Sequence, residues 1–352
     1  MEDLRKYDEI SLMKDIEEMY IMIKKSFGAP IVLIGALNYY ILIICESLNY
    51  LNENYKVNLK NKIQYKRDIT KTRARMKPYI NILTKDLYKS VEELNEKQMK
   101  EYYDKTKRIT QILFKNLIVN LGIYRYNNEI IGNTFLYQKK YKDIVYKNKK
   151  ISPEKLKQVG IDIGGMTVQL LYLFGGNIDI LKKEIPTINI KIMDSDYNTI
   201  KKRTGLFNEN IDRNVNLLLL DELSIINFYK NIISKLTEKK NLKYRIGYIV
   251  LYNTLNNINT IIKLNDTVIR KGDFSKLITE KEKYNYLLQR DFRNSIFHYD
   301  IRKHLKKDEI IENEMFFGTI SKYLNTNEDK LKKDIDNYID NMSTVLEEKI
   351  LL

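Results

Sequence analysis

Apolar residues recur at helical spacing near the start of the chain. Ile10, Met13, Ile16, Tyr20 and Ile23 repeat every three or four residues, the pattern of an amphipathic helix with one buried stripe. Prolines and glycines are few throughout (4 and 13), so little interrupts long helices. The pattern therefore predicts successive helices across residues 1–150.

The stretch from Ser26 to Cys45 carries no charge. A helix of that length, roughly 20 residues, could cross a bilayer. A helix buried on all sides within a helical domain would show the same pattern. Because the stretch contains Pro30 and Asn38, we favour the buried helix and do not expect a membrane partner.

Residues 151–210 differ in character from the chain on either side. Residues 152–154 read Ser-Pro-Glu, with Pro suited to the first position of a helix. Five glycines follow between residues 160 and 176, and isoleucines alternate with polar residues over 188–192, as in a short strand. We predict a small irregular or β insertion that links two helical parts.

The sequence GIDIGGMTVQ (160–169) resembles the phosphate-binding turn of sugar kinases related to actin. In that fold a strand ends in Asp-x-Gly-x-Thr and backbone amides contact phosphate. The fold also requires a parallel sheet and later glycine-rich motifs, and the glycines after Gly176 are scattered. We therefore do not expect ATP binding.

Residues 211–352 return to helical patterns. Runs at 217–236 and 244–264 are each long enough for about five turns. A third helix, capped at Asp273 or Ser275, is expected to continue through residue 304, and a fourth spans 328–351. Together the patterns predict a mainly α protein, with a helical N-terminal domain (1–150), the insertion (151–210) and a C-terminal helical bundle (211–352).

The formal net charge is +15, which suits a phosphate-rich partner. Arg67, Lys71 and Arg75 lie four residues apart and would form one row on a helix. Residues 137–150 are also basic and contain three tyrosines. Both segments could bind an RNA backbone, with tyrosines stacking on bases. A solvated helix face, in a chain with the Lys, Ile, Asn and Tyr bias of AT-rich genes, would give the same pattern.

Cysteine and histidine are scarce. The one cysteine, Cys45, cannot form an internal disulfide, and the first twenty residues lack the apolar segment of a signal peptide, so we expect a cytoplasmic protein. A metal site built on cysteines is excluded, and two histidines leave little scope for one built on histidine. No cofactor is expected.

Both histidines lie in one stretch, LLQRDFRNSIFHYDIRKH (287–304). On a helix turning about 100° per residue, Leu288, Phe292, Ile296 and Tyr299 fall within roughly 80° of one another. This stripe is the predicted core face. The helix is therefore amphipathic, with this apolar side and polar groups on the other side.

His298 is predicted to lie off that core stripe. Relative to Phe292, Arg293 lies about 100° to one side and His298 about 120° to the other. Arg290, Asn294 and Phe297 fill the far side between them, which suggests an exposed contact face that includes the phenyl ring. Asn294, four residues before His298, could hold its ring. The second histidine, His304, is predicted to belong to a solvated basic end.

Residues 293–298, Arg-Asn-Ser-Ile-Phe-His, match the R-x-x-x-x-H motif of HEPN ribonucleases, including the frequent polar residue after Arg. The resemblance covers roughly residues 215–350. HEPN proteins are compact helical bundles and include toxins, abortive-infection proteins and CRISPR-associated ribonucleases. They cleave RNA without a metal, and two motifs meet at a domain or subunit interface.

This resemblance implies a metal-independent endoribonuclease that acts as a toxin or antiphage defence effector. His298 would be the general acid or base, Arg293 would bind the scissile phosphate, Asn294 would orient His298, and Arg290 could add to phosphate binding. Because the chain has one motif, a complete site implies a homodimer. An antitoxin or a small guide or regulatory RNA would be a further partner. The alternative is a non-catalytic RNA-binding or regulatory protein that dimerises through the bundle.

Overall fold

The computed structural model describes residues 2–55, 122–134, 136–137, 153–196, 213–264 and 274–350. The predicted RNA-binding row of Arg67, Lys71 and Arg75 lies outside these residues, as does nearly all of the basic segment at 137–150. Neither prediction is therefore tested by the structure.

The fold is mainly α, as predicted, with one small sheet. The helices in chain order are α1 (Glu2–Lys25), α2 (Pro30–Tyr55), α3 (Pro153–Leu173), α4 (Arg213–Phe228, continued by a π-helical turn at Tyr229–Ile233 and a last turn at Ser234–Leu236), α5 (Lys240–Leu264), α6 (Ser275–Lys283), α7 (Arg290–His298), α8 (Ile301–His304), α9 (Thr319–Leu324) and α10 (Glu328–Ile350). The strands are β1 (Gly122–Tyr126), β2 (Glu129–Asn133) and β3 (Met193–Asp196). Short 3₁₀ turns lie at Ile178–Leu181, Asn285–Leu287, Lys307–Glu309 and Met315–Gly318.

The uncharged stretch predicted to be a buried helix forms most of α2. Within the described residues α2 is the one helix long and apolar enough to cross a membrane, yet 78% of its most apolar window is buried inside this fold. Gly35 lets α2 approach α4 closely, because an added Cβ would overlap the Phe228 ring. In this structure α2 is a core helix.

One continuous hydrophobic core joins the two ends of the chain. It contains Leu12 of α1, Tyr40 of α2, Leu170 of α3, Leu219 of α4 and Tyr338 of α10. The predicted boundaries at residues 150 and 211 therefore do not separate independent cores among the described residues. Hydrophobic periodicity predicts each helix but not which helices share a core.

The sheet is antiparallel, in the order β2-β1-β3, and β2 lies against α4. Asn127 and Asn128 join β1 to β2 with φ of 50° and 67°, the conformation that a two-residue type I′ hairpin turn requires. The prediction that residues 1–150 are wholly helical is therefore wrong at 122–133. The Asn-Asn pair was the sequence signal for this hairpin.

Of the predicted insertion at 151–210, the structure describes 153–196, and about half of these residues form one α-helix. This helix starts at Pro153, as predicted, but continues to Leu173 and packs against α1 and α2. The segment GIDIGGMTVQ lies inside α3, so it forms no phosphate-binding turn. The isoleucines of 188–192 pack beside the core outside any strand, and the strand of this region is β3.

The bundle helices α4, α5 and α10 agree with the predicted runs. The third predicted helix is broken into several pieces. It begins at Ser275, with Phe274 at the N-cap, and ends at Lys283. A 3₁₀ turn precedes α7, and α7 itself ends at His298 rather than continuing through residue 304. These breaks decide where the two histidines lie.

Candidate functional site

The inner face of α7 is the predicted core stripe. Phe292, Ile296 and Tyr299 are buried, and Leu288 packs at the edge of the core. His298, on the opposite flank, keeps 39% of its side chain exposed. The prediction that His298 lies off the core is confirmed.

Tyr299 ends α7 directly after His298. It adopts the left-handed conformation (φ 50°, ψ 44°), which is unfavourable for a bulky residue and requires support from its surroundings. Its hydroxyl donates a hydrogen bond to Asp15 Oδ2 (2.8 Å), and the Arg245 guanidinium lies 4.1 Å from its ring centre. Arg245 in turn pairs with Asp15 at 2.6 Å. This buried cluster from α1 and α5 fixes the end of α7 and so the position of His298.

Phe297 is buried, so the prediction of an exposed phenyl ring is wrong. The Arg293 guanidinium lies 4.5 Å from the Phe297 ring centre, and Tyr252 of α5 contacts the ring edge-to-face at 6.0 Å. The stem and planar head of an arginine can cover apolar surface in this way. Helical angles predicted that Phe297 lies away from the core stripe, whereas in the structure it belongs to the main hydrophobic core.

Arg293 and Asn294 contact each other. Arg293 Nη1 donates to Asn294 Oδ1 at 2.9 Å. In the described contacts the Asn294 amide thus holds the guanidinium rather than the His298 ring, and its role in orienting His298 stays a prediction. Arg290 is exposed at the first residue of α7. The Arg293 guanidinium lies over the Phe297 and Tyr252 rings and does not line the cavity that His298 borders.

A cavity of about 490 Å³ opens beside His298, and we call it the histidine cavity. One wall is a single face of α2, formed by Glu46, Asn49, Tyr50 and Glu53. The opposite wall contains Asn294 and residues 298–300 and 302–304, so both histidines border it. Helix α2 therefore contributes half of the candidate site, which the sequence did not reveal.

Glu46 of α2 lies beside the motif histidine. Its Oε1 lies 3.4 Å from His298 Nδ1, and its side chain is only 5% exposed. A buried carboxylate beside one imidazole nitrogen fixes the ring and leaves Nε2 available for proton transfer. Glu46 is the first charged residue after the uncharged stretch. That position marked it as unusual, but its partner lies far away in the sequence.

We predicted that His304 belongs to a solvated basic end, and this prediction is wrong. It is half-buried, its Nδ1 lies 3.1 Å from the Tyr323 hydroxyl, and the two rings meet edge-to-face. Burial lowers the pKa of His304. The prediction assumed an unbroken helix from His298, whereas the turn at Tyr299 redirects the chain.

Helix α8, which carries His304, is anchored by a buried carboxylate of α1. Asp8 Oδ1 accepts a hydrogen bond from the Ile301 amide at 2.7 Å, and Asp8 Oδ2 lies 3.7 Å from Arg302 Nε. Burial raises the pKa of Asp8 to about 7, against the effect of the Ile301 hydrogen bond. The wall of the histidine cavity thus depends on contacts from α1.

Known proteins do not identify the chain. Comparisons with protein-family models, with curated proteins and with solved structures found no match. Within the described part of the chain, no group of three or more His, Cys, Asp or Glu side chains is placed to hold a metal ion. The geometry around His298 is therefore the basis for proposing a function.

Proposed function

We propose that this protein is an endoribonuclease of the HEPN type that cleaves RNA without a metal. The observation that carries the proposal is the pairing of exposed His298 with buried Glu46 at the wall of a cavity. An exposed imidazole held by a buried carboxylate is suited to proton transfer. The motif that contains His298 supplies the resemblance to this class of nucleases, and a toxin or antiphage effector is the corresponding biological role.

In the proposed reaction a ribose 2′-oxygen attacks the adjacent phosphorus and the bond to the 5′-oxygen breaks. His298 Nε2 accepts the proton of the 2′-hydroxyl or donates a proton to the leaving 5′-oxygen, and water serves for the other proton transfer. Arg293 binds the non-bridging phosphate oxygens, whose negative charge grows in the transition state. The products carry a 2′,3′-cyclic phosphate and a 5′-hydroxyl. DNA lacks the attacking group and is not cut.

The proposal requires two chains. His298 lies five positions after Arg293, which places the two residues about 140° apart around α7. Arg293 lies over Phe297 and Tyr252, whereas His298 faces the histidine cavity. In a two-fold dimer the Arg293 side of one α7 can meet the His298 side of the other.

The proposal is tested by the products that the wild-type protein forms from a labelled RNA in excess EDTA. We expect cleavage to persist, and the fragments to end in a 2′,3′-cyclic phosphate and a 5′-hydroxyl. A matching DNA, or RNA with a single 2′-deoxy substitution at the cleaved position, should remain intact. Loss of cleavage in EDTA with recovery on adding magnesium would instead indicate metal-dependent chemistry.

One observation favours the alternative, a non-catalytic RNA-binding or regulatory protein. The Arg293 guanidinium is already engaged by Asn294 and the Phe297 ring, so phosphate binding would have to share or replace these contacts. If purified protein binds RNA but yields no cyclic-phosphate product, the alternative is the better account.

A further inference from the structure

A second cavity, of about 440 Å³, adjoins the histidine cavity, and we call it the tyrosine cavity. It lies between the first turns of α1 and the last turns of α2, with Phe174 after α3 at its side. Tyr50 borders both cavities. Asn54, which also lines the tyrosine cavity, accepts a hydrogen bond from Arg302 Nη1 at 2.6 Å, and Arg302 lines the histidine cavity.

The tyrosine cavity offers an aromatic ring held in place. Tyr55 is 51% exposed, yet its hydroxyl donates a 2.7 Å hydrogen bond to Glu9 Oε2. Tyr50 contacts Tyr55 at 6.3 Å between ring centres, and Phe174 packs behind Tyr50 at 5.9 Å. A rigid, half-exposed ring is the kind of surface on which a nucleobase stacks, since each base has an aromatic face.

The same cavity offers positive charge. Arg5 and Lys6 are exposed at its rim, and their side chains form no ion pair with other described residues. The carboxylate of Glu9, by contrast, accepts hydrogen bonds from the hydroxyls of Tyr50 and Tyr55, both at its Oε2. Two exposed cations beside a held aromatic ring match the phosphate and the base of one single-stranded nucleotide.

We propose that the tyrosine cavity is a nucleotide-binding subsite for the RNA strand that flanks the cleaved phosphate. A base stacks on Tyr55, Arg5 and Lys6 contact the adjoining phosphates, and the strand passes Tyr50 to reach His298. The identity of the ligand rests on the proposed function. The subsite places RNA binding on α1 and α2, apart from the motif on α7.

The experiment measures binding of a fluorescein-labelled, 2′-O-methylated RNA of about 12 nucleotides, which the proposed chemistry cannot cleave, by anisotropy at several salt concentrations. Tyr55→Ala should weaken binding about tenfold or more, because it removes one stacked base. Tyr55→Phe keeps the ring and should bind within about twofold of wild type.

The cations are tested by Arg5→Gln/Lys6→Gln. Each lost contact with a single-stranded phosphate lowers the slope of log K against log salt by about 0.7, so the double variant should lower it by about 1.4. The control is Lys182→Gln/Lys183→Gln, an exposed lysine pair elsewhere on the surface, which should leave the slope almost unchanged. Because Arg5 and Lys6 are exposed, this variant tests the inference even if Tyr55→Ala fails to fold.

Wild-type affinity and salt slope in both Tyr55→Ala and the Arg5/Lys6 variant would overturn the subsite, whether or not the protein cleaves RNA. Weakened binding in these variants, in a protein that forms no cleavage product, would leave the subsite standing and remove the proposed function. The two proposals can therefore fail separately.

Discussion

At the scale of single residues, the position of His298 depends on both local and long-range contacts. Its off-core position follows from local helical angles, which depend only on residues a few positions apart. Glu46 approaches His298 from another helix, and no local pattern predicts which helices pack together. The cover over Phe297 was missed for the same reason, because Tyr252 lies on α5.

Glu46 is predicted to position the His298 ring. With the carboxylate beside Nδ1, the neutral ring should carry its proton on Nδ1 and keep Nε2 unprotonated. Glu46→Gln should shift the ring toward the Nε2-protonated tautomer and slow single-turnover cleavage at least about tenfold. Nitrogen-15 NMR can follow the tautomer directly, since the chain has only 2 histidines. In a His304→Ala variant only His298 remains, so the signal that persists is assigned to His298.

The RNA affinity and the melting temperature of Glu46→Gln serve as controls, and both should stay close to wild type. An unchanged tautomer together with an unchanged rate would contradict a positioning role. If the rate falls and the melting temperature drops strongly while the tautomer is unchanged, Glu46 has only a structural role.

At the scale of elements, the long amphipathic helices were predictable and the breaks between them were not. Helices α1, α5 and α10 follow from apolar periodicity. The end of α7 depends on Tyr299, whose left-handed backbone is supported by Asp15 and Arg245 from two other helices. Such a tertiary cause has no local signature, so the helix appeared continuous to residue 304.

Asp8, which anchors α8 to α1, is predicted to make stability depend on pH. Burial raises its pKa to about 7 in the folded protein, whereas an aspartate in an unfolded chain titrates near ~3.9. At pH values between these two pKa values, Asp8 carries a proton in the folded state but not in the unfolded state. The resulting stabilisation is complete below about pH 4 and is lost as pH rises through about 7, with an upper bound of about 4 kcal/mol.

Urea unfolding of wild type and Asp8→Asn between about pH 5 and 8 measures this contribution. Wild type should lose free energy of unfolding as pH rises, and the variant should lose clearly less. Burial also raises the pKa values of Asp15 and Glu18, so the quantity to compare is the difference between the two slopes. Parallel slopes would show that Asp8 does not titrate in this range.

At the scale of the whole molecule, the mainly α class was predictable from composition and periodicity, but the packing of the N-terminal helices against the C-terminal bundle was not. Helices α1 and α2 share a core with α4, α5 and α10, and α2 forms a wall of the histidine cavity. The N-terminal part is thus a structural component of the candidate site. Local sequence patterns could not show that α2 lines the site, because this depends on contacts between segments far apart in the chain.

The proposed homodimer predicts complementation between two inactive variants. A mixed dimer of Arg293→Ala and His298→Ala chains has one site with both substitutions and one site with neither. Random mixing of equal amounts makes half of the dimers mixed, so about one quarter of the wild-type activity should return. Each variant alone should be inactive. No recovery after verified subunit exchange, or a monomer with full activity, would contradict a site shared between chains.

The central claim, that His298 is the proton carrier, is tested most directly by single-turnover cleavage of a labelled RNA by His298→Ala and His304→Ala, with a thermal melt of each. His298→Ala should cleave at least about a hundredfold more slowly. Its loss of stability should be modest, about 1 kcal/mol, because His298 is partly exposed but its removal takes a contact away from buried Glu46. His304→Ala should keep most of the rate and lose about 1 kcal/mol of stability, since it gives up the contacts with Tyr323. An active His298→Ala beside an inactive, stably folded His304→Ala would contradict the account.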